Sequence, residues 1–421
     1  MNSYLLLGTI LSPDTPSHLS TYKAMLIRDG HIADVFSTIP STDVVSSDIP
    51  RIDTGTALII PGFSDIHLHA PQFANLGLGL DEELLPWLET YTFPEESKYK
   101  DISYATTMYT AFTKALLTNG ITSSVIFASI HTPATLQLMT LLERAGLRAF
   151  VGKVNMDRNS PNYYQETTEE SIAATTDWLT VARQFKQVRP ILTPRFVPSC
   201  TPKLMQALAR LADAYQVPVQ SHLSENRDEI AWVRDLHPEC HNYLDVYRHY
   251  GLLRGPRQTI MAHCVWCTEE EKQMLVDYEV IVAHAPFSNA DLASGIAPIA
   301  DLQQRGIPIG LCSDISGGHE LFMPRTIAMA AMMAKERATL CGGHTLTTME
   351  LFYMATHGGG IFPQIGHFAP DYAADFLIID DSDLCLPNHS YTPFQRLQRF
   401  LYNGEPRQIT DVYVAGKRCQ R

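Results

Sequence analysis

The feature that most constrains the fold is an apolar run followed by a loop and a helix-prone stretch, repeated eight times through the middle of this 421-residue chain. Helix starts follow some runs directly, as at Thr201-Pro202 and Thr268-Glu269. Such alternation indicates parallel strands, because the chain must cross back over the sheet between strands. We predict an eight-stranded parallel barrel, with a doubly wound open sheet as the alternative. The predicted strands are 59–66, 121–130, 148–154, 191–197, 217–222, 259–263, 280–284 and 307–312.

The two ends of the chain share a different pattern, with short β-rich runs and turn signals. On the N-terminal side these runs are 4–10 and 23–28, the second followed by the hairpin pair Asp29-Gly30. On the C-terminal side they are 374–380 and 409–417. Neither end has enough strands to bury a core alone, so we predict one small β-sandwich domain built from both termini; two separate β caps are the alternative. The predicted division is 1–58 and 367–421 for the small domain and 59–366 for the barrel.

Composition and charge narrow the class of protein. A hydrophobic content of 45% and a charged content of 18% are typical of a folded globular chain. The net charge of −13 argues against a nucleic-acid partner, because binding the phosphate backbone needs clustered Lys and Arg. No apolar run approaches the ~18 residues of a membrane span, and the start has no basic leader. We therefore expect no membrane partner and a cytoplasmic protein, with its eight scattered cysteines as reduced thiols.

Histidines stand where the predicted barrel strands end, and in such barrels the C-terminal strand ends carry the catalytic residues. His67 and His69 point to one face of their strand, so both rings can meet one ion. Each histidine alone could be an ordinary core or capping residue, but together they predict a metal centre. Imidazoles with a carboxylate and no thiolate favour zinc, with iron or manganese as alternatives, and indicate hydrolysis by activated water. The residues are His67, His69, His222, His263, His284 and Asp314.

Glu225 is the predicted proton carrier, three residues beyond His222. From that loop a carboxyl group can reach a substrate without binding the metal. The alternative is that it caps the helix expected to start near Asn226. Asp314 could also act as the base that takes a proton from water. The spacing leaves open whether His263 binds the metal or only the water.

Several motifs resemble one known family. Residues 61–72 resemble the start of the metal-dependent amidohydrolase superfamily, and their final Ala70-Pro71-Gln72 resembles the guanine deaminase family within it. The similarity runs nearly end to end. The insert after the first strand and the Pro194-Arg195-Phe196 motif are more specific for this family than the metal ligands, which the whole superfamily shares. The further matching stretches are 79–81, 84–88, 91–95, 194–196, 221–226, 400–402 and 412–417.

The resemblance implies a fold, an activity and a set of residues. The fold is a distorted (β/α)8 TIM barrel of the amidohydrolase type with a small β-sandwich domain. The activity is conversion of guanine and water to xanthine and ammonia in purine catabolism, by a cytosolic homodimer with one Zn²⁺ per subunit. The implied metal shell is His67, His69, His222, His263 and Asp314.

The same resemblance assigns the substrate. Gln72, Arg195 and Phe196 would hold the purine, with His222 and Glu225 beside it. Glu225 and Asp314 would move protons, and His263 would act on the water. Trp87 could line the pocket or pack the insert after the first strand. Arg195 would donate to the guanine carbonyl, which adenine lacks.

Two alternatives share these motifs. One is a sister amidohydrolase acting on an oxidised guanine, a pterin or a triazine, which would differ at Gln72, Arg195 and Phe196. The other is a non-enzymatic scaffold, which would be expected to lose ligands that this chain keeps. The chain departs from the family pattern at Ala285 and around Cys312-Ser313, and the second change could alter the orientation of Asp314.

Overall fold

The computed structural model describes residues 3–420, which contain seventeen strands and fourteen α-helices. The strands are β1 (Ser3–Thr15), β2 (His18–Arg28), β3 (His31–Phe36), β4 (Arg51–Pro61), β5 (Phe63–His69), β6 (Ile121–Phe127), β7 (Arg148–Gly152), β8 (Val154–Asn155), β9 (Val188–Pro190), β10 (Thr193–Pro194), β11 (Val219–Leu223), β12 (Thr259–His263), β13 (Ile281–His284), β14 (Ile309–Leu311), β15 (Phe376–Ile379), β16 (Ile409–Val414) and β17 (Lys417–Arg418). The helices are α1 (Leu84–Trp87), α2 (Phe93–Ser97), α3 (Ile102–Thr118), α4 (Thr132–Ala145), α5 (Thr168–Ala182), α6 (Pro202–Tyr215), α7 (Arg227–Leu236), α8 (Tyr243–His249), α9 (Glu269–Asp277), α10 (Pro286–Asp291), α11 (Ile299–Gln304), α12 (Met323–Cys341), α13 (Thr348–His357) and α14 (Pro393–Asn403).

Strands from both termini form one sheet, in the order β17-β16-β15-β4-β1-β2-β3. The antiparallel pairing of β4 with β15 joins the two ends of the chain. Hydrogen bonding makes this unit a single continuous seven-stranded sheet where the sequence predicts a small sandwich. Both faces are apolar: Leu5 and Leu7 pack in one cluster, and Tyr4 and Leu6 in another. The boundaries at residues 58 and 367 stay a prediction.

The hairpin between β2 and β3 turns at the predicted Asp29-Gly30 pair. Both residues have positive φ, 49° for Asp29 and 87° for Gly30. This left-handed backbone is what a tight two-residue hairpin requires, and Asp-Gly adopts it at low cost. The predicted hairpin is confirmed.

The centre of the chain forms a parallel barrel from two four-stranded sheets, β5-β6-β7-β9 and β11-β12-β13-β14. A parallel bridge between Leu192 and Val219 spans the gap after β9. On the opposite side, Asp314 N donates to His67 O at 2.9 Å and His69 N donates to Ile315 O at 2.8 Å. The ring therefore closes through residues at the predicted metal centre.

One predicted barrel strand, 59–66, is divided in the structure. Residues up to Pro61 belong to β4 in the terminal sheet, and the barrel strand β5 begins at Phe63. Gly62 makes the change of direction, donating its N–H to Asp375 O at 3.2 Å. A Cβ on Gly62 would overlap the Thr122 side chain, so only glycine fits there.

A second predicted strand, 191–197, is much shorter in the structure. Only Thr193–Pro194 forms a strand there, and it pairs with β8. Pro190, Pro194 and Pro198 lack the N–H that a sheet ladder needs, so continuous pairing is not available in this stretch.

Helices follow the barrel strands, and their starts agree with the sequence signals. The Thr201 hydroxyl accepts a hydrogen bond from Leu204 N and caps α6. Thr268 and Glu271 form a capping box at the start of α9. None of the helices in residues 3–420 has the length and apolar character needed to cross a bilayer.

The barrel and the terminal sheet are linked by an ion pair whose removal we expect to destabilise the fold. Arg148 Nε donates to Asp375 Oδ2 at 2.6 Å, and Asp375 Oδ1 accepts from Ala415 N at 2.6 Å. An Asp375→Asn variant should lose about 1–3 kcal/mol of unfolding free energy. The loss of the charged acceptor would leave the Arg148 guanidinium and the Ala415 N–H poorly paired. Urea unfolding at pH 7 measures this.

The matched control is Glu169→Gln, which breaks an exposed pair with Lys203. That change should cost less than about 0.5 kcal/mol, because exposed pairs contribute little. Equal losses in the two variants would contradict a linking role for Asp375.

Candidate metal and substrate site

A pocket opens at the C-terminal ends of the barrel strands. Its polar side chains converge on a partly apolar wall, which is the usual composition of a small-molecule site. Nine of the residues predicted from the sequence line it, and His67 lies directly behind them. The lining residues are His69, Gln72, Leu84, Trp87, Leu88, Arg195, Phe196, His222, Glu225, Glu229, His263, Leu292, Asp314 and Gly317.

Five side chains from four strand ends converge on one point at the base of the pocket. Two sets of ligand atoms each lie within 4.8 Å of one another: His67, His222 and His263 form one set, and His67, His69 and Asp314 form the other. Asp314 Oδ1 lies 3.0 Å from His67 Nε2 and 3.4 Å from His69 Nε2. The five predicted ligands therefore form a single cluster.

The chemistry of this cluster fits a divalent metal ion. Burial lowers the pKa of His67, His69 and His222 and so favours the neutral ring, which is the form that binds metals. His67 Nε2 lies 3.0 Å from Asp314 Oδ1 and His263 Nε2 lies 3.3 Å from Glu225 Oε2, but within residues 3–420 neither buried nitrogen makes a hydrogen bond of standard geometry. Buried polar atoms are normally satisfied, and a metal ion bound by these nitrogens would satisfy them.

Hydrogen bonds from outside the cluster orient two of its histidine rings. His222 Nδ1 donates to Arg195 O at 2.6 Å, and His263 Nδ1 donates to Asn289 Oδ1 at 3.0 Å. With Nδ1 engaged in this way, each ring presents Nε2 to the cluster. Outer partners of this kind fix the tautomer and direction of metal-binding imidazoles.

His284, which ends β13, lies outside both ligand sets. It is buried, and burial together with the nearby His263 lowers its pKa to about 3. Of the strand-end histidines that together predict a metal centre, this one stays apart from the cluster.

Backbone strain is concentrated at the same strand ends. His263 has φ of 71° and Asp314 has φ of 49°, both in the left-handed region that favours glycine. Such conformations cost about 1–3 kcal/mol each and persist where the surroundings fix them, frequently at active sites. Here they turn two side chains toward the cluster.

Glu225 faces the pocket, and the capping role belongs to its neighbours. Asn226 caps α7, while Glu229 accepts a hydrogen bond from Glu225 N at 3.0 Å. Glu225 Oε2 lies 3.3 Å from His263 Nε2, and its Oε1 accepts from Ser294 Oγ at 3.1 Å. Burial raises the pKa of Glu225 to about 7.

The residues predicted to hold the purine line the same pocket. Arg195 and Phe196 are 3% and 6% exposed. The Gln72 carbonyl oxygen accepts from Ser316 N at 3.1 Å. Trp87 lines the pocket and also anchors the insert, because its Nε1 donates to Leu78 O at 3.1 Å.

Sequence reasoning missed several polar residues that support this site. Asp65 accepts from Ser313 N at 3.0 Å and from Ser313 Oγ at 2.5 Å, which holds the segment before Asp314. Its position in the sequence, two residues before His67, is a signal that could have identified it. Glu96, which contacts Arg195, has no such signal because 99 residues separate the two.

Comparison with known proteins agrees with this site and with the fold. A family model described as "Amidohydrolase family" matches residues 58–419. The guanine deaminase of Dictyostelium discoideum is 41% identical over 379 residues, covering 88% of this chain and 84% of that protein.

The chain belongs to the guanine deaminase family of amidohydrolases. A crystal structure of guanine deaminase from C. acetobutylicum with guanine bound in its active site superposes with a TM-score of 0.96 at 40% identity, covering 100% of both chains. The E. coli guanine deaminase structure gives a TM-score of 0.90 at 31% identity, covering 100% of this chain and 99% of that one. The predicted family and amidohydrolase barrel are confirmed.

Loss of one clustered histidine should release the metal from this guanine deaminase family member. We expect His67→Asn to weaken metal binding at least ~10- to 100-fold, the range seen even for changes outside the ligand shell. Metal per chain, measured by elemental analysis after dialysis against a chelator, reports this loss.

The control is His284→Asn. It removes a buried histidine at the end of β13 that belongs to neither ligand set. This variant should retain as much metal as the wild type. Equal retention by both variants would contradict the assignment of the cluster.

Proposed function

We propose that this chain catalyses the zinc-dependent hydrolytic deamination of guanine to xanthine and ammonia. The observation that carries the proposal is one pocket in which a histidine and carboxylate cluster stands beside Glu225 and Arg195. The family supports it, since relatives carry the name guanine deaminase and a similar solved structure holds guanine in its active site.

The proposed cofactor is one Zn²⁺ per subunit. Zinc would supply the Lewis acidity that makes water nucleophilic at neutral pH. His263 has the same orienting hydrogen bond as His222, which supports its place among the ligands. The proposed ligands are His67, His69, His222, His263 and Asp314.

Two carboxyl groups in the pocket have pKa values displaced in opposite directions. Burial raises the pKa of Glu225 to about 7. Burial acts in the same sense on Asp314, but the His67 ring, with His263 and His69, holds the pKa of Asp314 well below its ordinary value. Such a divergence separates an acid from a base within one site.

The proton transfers follow from this difference. Asp314 accepts a proton from the attacking water while the water oxygen bonds to the amino-bearing carbon. Glu225 gives its proton to the adjacent ring nitrogen, takes up the proton of the new hydroxyl group and passes it to the amino nitrogen. The proton held by Asp314 then returns to Glu225, which restores both carboxyl groups. The carbon–nitrogen bond breaks, ammonia leaves, and the oxygen remains as the new carbonyl of xanthine.

Arg195 and Phe196 are proposed to select the ring. Arg195 donates to the guanine carbonyl, Phe196 stacks on the purine, and Gln72 contacts its edge, with Trp87 as a wall. Adenine would place an amino group against the Arg195 donors. An unmet buried donor costs about 1–3 kcal/mol, which favours guanine by ~10-fold to 100-fold.

The homodimer, the cytosolic location and the place in purine catabolism are carried over from the family resemblance and stay predictions. The acidic net charge of −13 supports the expectation of a small-molecule substrate over a nucleic acid.

Guanine should be the best substrate in a panel that includes 8-oxoguanine, adenine, cytosine and a pterin. Ammonia release by the purified protein, with and without added zinc, measures this. Guanine should exceed adenine by at least ~10-fold, and chelation should abolish turnover until zinc is restored. If guanine is inert while another ring reacts, the roles given to Gln72, Arg195 and Phe196 are wrong.

Glu225→Gln should keep the fold and the metal but lose the proton carrier. We expect kcat/KM for guanine to fall by ~10²- to 10⁴-fold, the contribution of a positioned acid or base. Glu270→Gln, a change at an exposed glutamate, is the control and should leave activity unchanged. Full activity in Glu225→Gln would remove Glu225 from the mechanism.

A further inference from the structure

A buried carboxylate behind the pocket joins two of the proposed substrate-binding residues. Glu96, on α2, is 1% exposed and does not line the pocket itself. Its Oε2 accepts from Arg195 Nη1 at 2.6 Å, and its Oε1 accepts from Gln72 Nε2 at 2.7 Å. The two oxygens of one side chain therefore determine where both donors point.

We propose that Glu96 is a positioning residue that sets the enzyme's preference for a purine carrying a carbonyl. It acts through Arg195 and Gln72 and does not reach the substrate. This inference rests on the proposed function, because it takes Arg195 as the partner of the guanine carbonyl.

The geometry around Arg195 shows how Glu96 would act. With Nη1 held by Glu96, the remaining guanidinium N–H groups can serve a ligand. The guanidinium also lies over the Phe93 ring, 5.0 Å from its centroid, and Phe93 belongs to the same short helix as Glu96. Arg195 N donates to Asn155 O at 3.2 Å, so backbone and side chain are both fixed.

Gln72 is oriented by the same carboxylate. Its amide nitrogen donates to Glu96 and its amide oxygen accepts from Ser316 N at 3.1 Å. These two bonds allow one amide orientation, in which the second N–H is left for a ligand. Donors fixed before the substrate arrives need no reorganisation on binding, which improves both affinity and discrimination.

Burial of this ion pair is itself evidence for a role beyond stability. The Arg195 and Glu96 side chains are 3% and 1% exposed. Removing two charges from water is costly, and an apolar pair of similar volume is frequently as stable or more so. The pair lies beside the substrate pocket, and there it can hold the Arg195 side chain in one direction.

Glu95 provides a matched control on the same helix. It is also buried, at 4% exposed, and it also binds a cation, because Lys98 Nζ donates to its Oε2 at 2.5 Å. Its other oxygen accepts from Tyr104, on α3. Glu95→Gln therefore removes the same charge from the same insert without touching Arg195 or Gln72.

The test compares the zinc-loaded wild type with Glu96→Gln, Glu96→Asp, Glu95→Gln and Arg195→Met. Competitive inhibition of guanine turnover is measured with hypoxanthine, which carries the carbonyl, and with purine, which lacks it. The wild type should bind hypoxanthine more tightly, and Glu96→Gln should reduce that preference by about 10- to 100-fold. Glu95→Gln should keep the wild-type preference, and Glu96→Asp should recover part of it.

The guanine kinetics add a second readout. Because Glu96 affects binding more than bond breaking, Glu96→Gln should raise KM by more than it lowers kcat, unlike Glu225→Gln. The ratio of the two inhibition constants does not depend on how much of a preparation is folded. Partial misfolding of Glu96→Gln therefore leaves the test valid.

Two results would overturn the inference, and they are distinguishable. If Glu96→Gln keeps the hypoxanthine preference within twofold while Arg195→Met loses it, Glu96 does not position Arg195. If the wild type turns over guanine but shows no preference between hypoxanthine and purine, the carbonyl contact in the proposed function is wrong, and the role of Glu96 fails with it.

Discussion

The site depends on the interaction of the Asp314 carboxylate with the histidine rings around it. This carboxylate lies 3.0 Å from His67 Nε2, while the Asp314 backbone N–H donates to His67 O at 2.9 Å. The same residue therefore closes the barrel and organises the cluster. Since the histidine rings hold its pKa well below the ordinary value, it remains a carboxylate in a place where burial alone would favour the neutral acid.

Buried polar groups outside the cluster orient the side chains within it. Asp65 holds Ser313 beside Asp314, Asn289 orients His263, and Glu229 takes the backbone N–H of Glu225. Each of these contacts satisfies a polar group that would otherwise be buried without a partner. The reacting groups are consequently held by hydrogen bonds within a packed barrel, which is the condition for a preorganised site.

The terminal sheet contributes to the site through the start of β5. The chain passes from the sheet to the barrel at Gly62, which packs against Thr122. The backbone oxygen of Asp375 accepts a hydrogen bond from Gly62 N, and its carboxylate pairs with Arg148. His67 and His69 follow within seven residues on the strand that this junction directs. A unit distant from the pocket thus sets the position of two of the five clustered side chains.

The sequence by itself determined the alternation that gives the barrel, the hairpin at Asp29-Gly30 and the histidines at the strand ends, because periodicity, turn chemistry and strand-end position are local properties of the chain. It did not place the break at Gly62 or the short strand at Thr193–Pro194, which depend on contacts with Thr122 and on proline-limited pairing. Only the tertiary structure decided that Glu96 meets Arg195 across 99 residues and that Glu225 lines the same pocket as Arg195. Such contacts depend on how separate elements pack, and no local pattern of residue types encodes them.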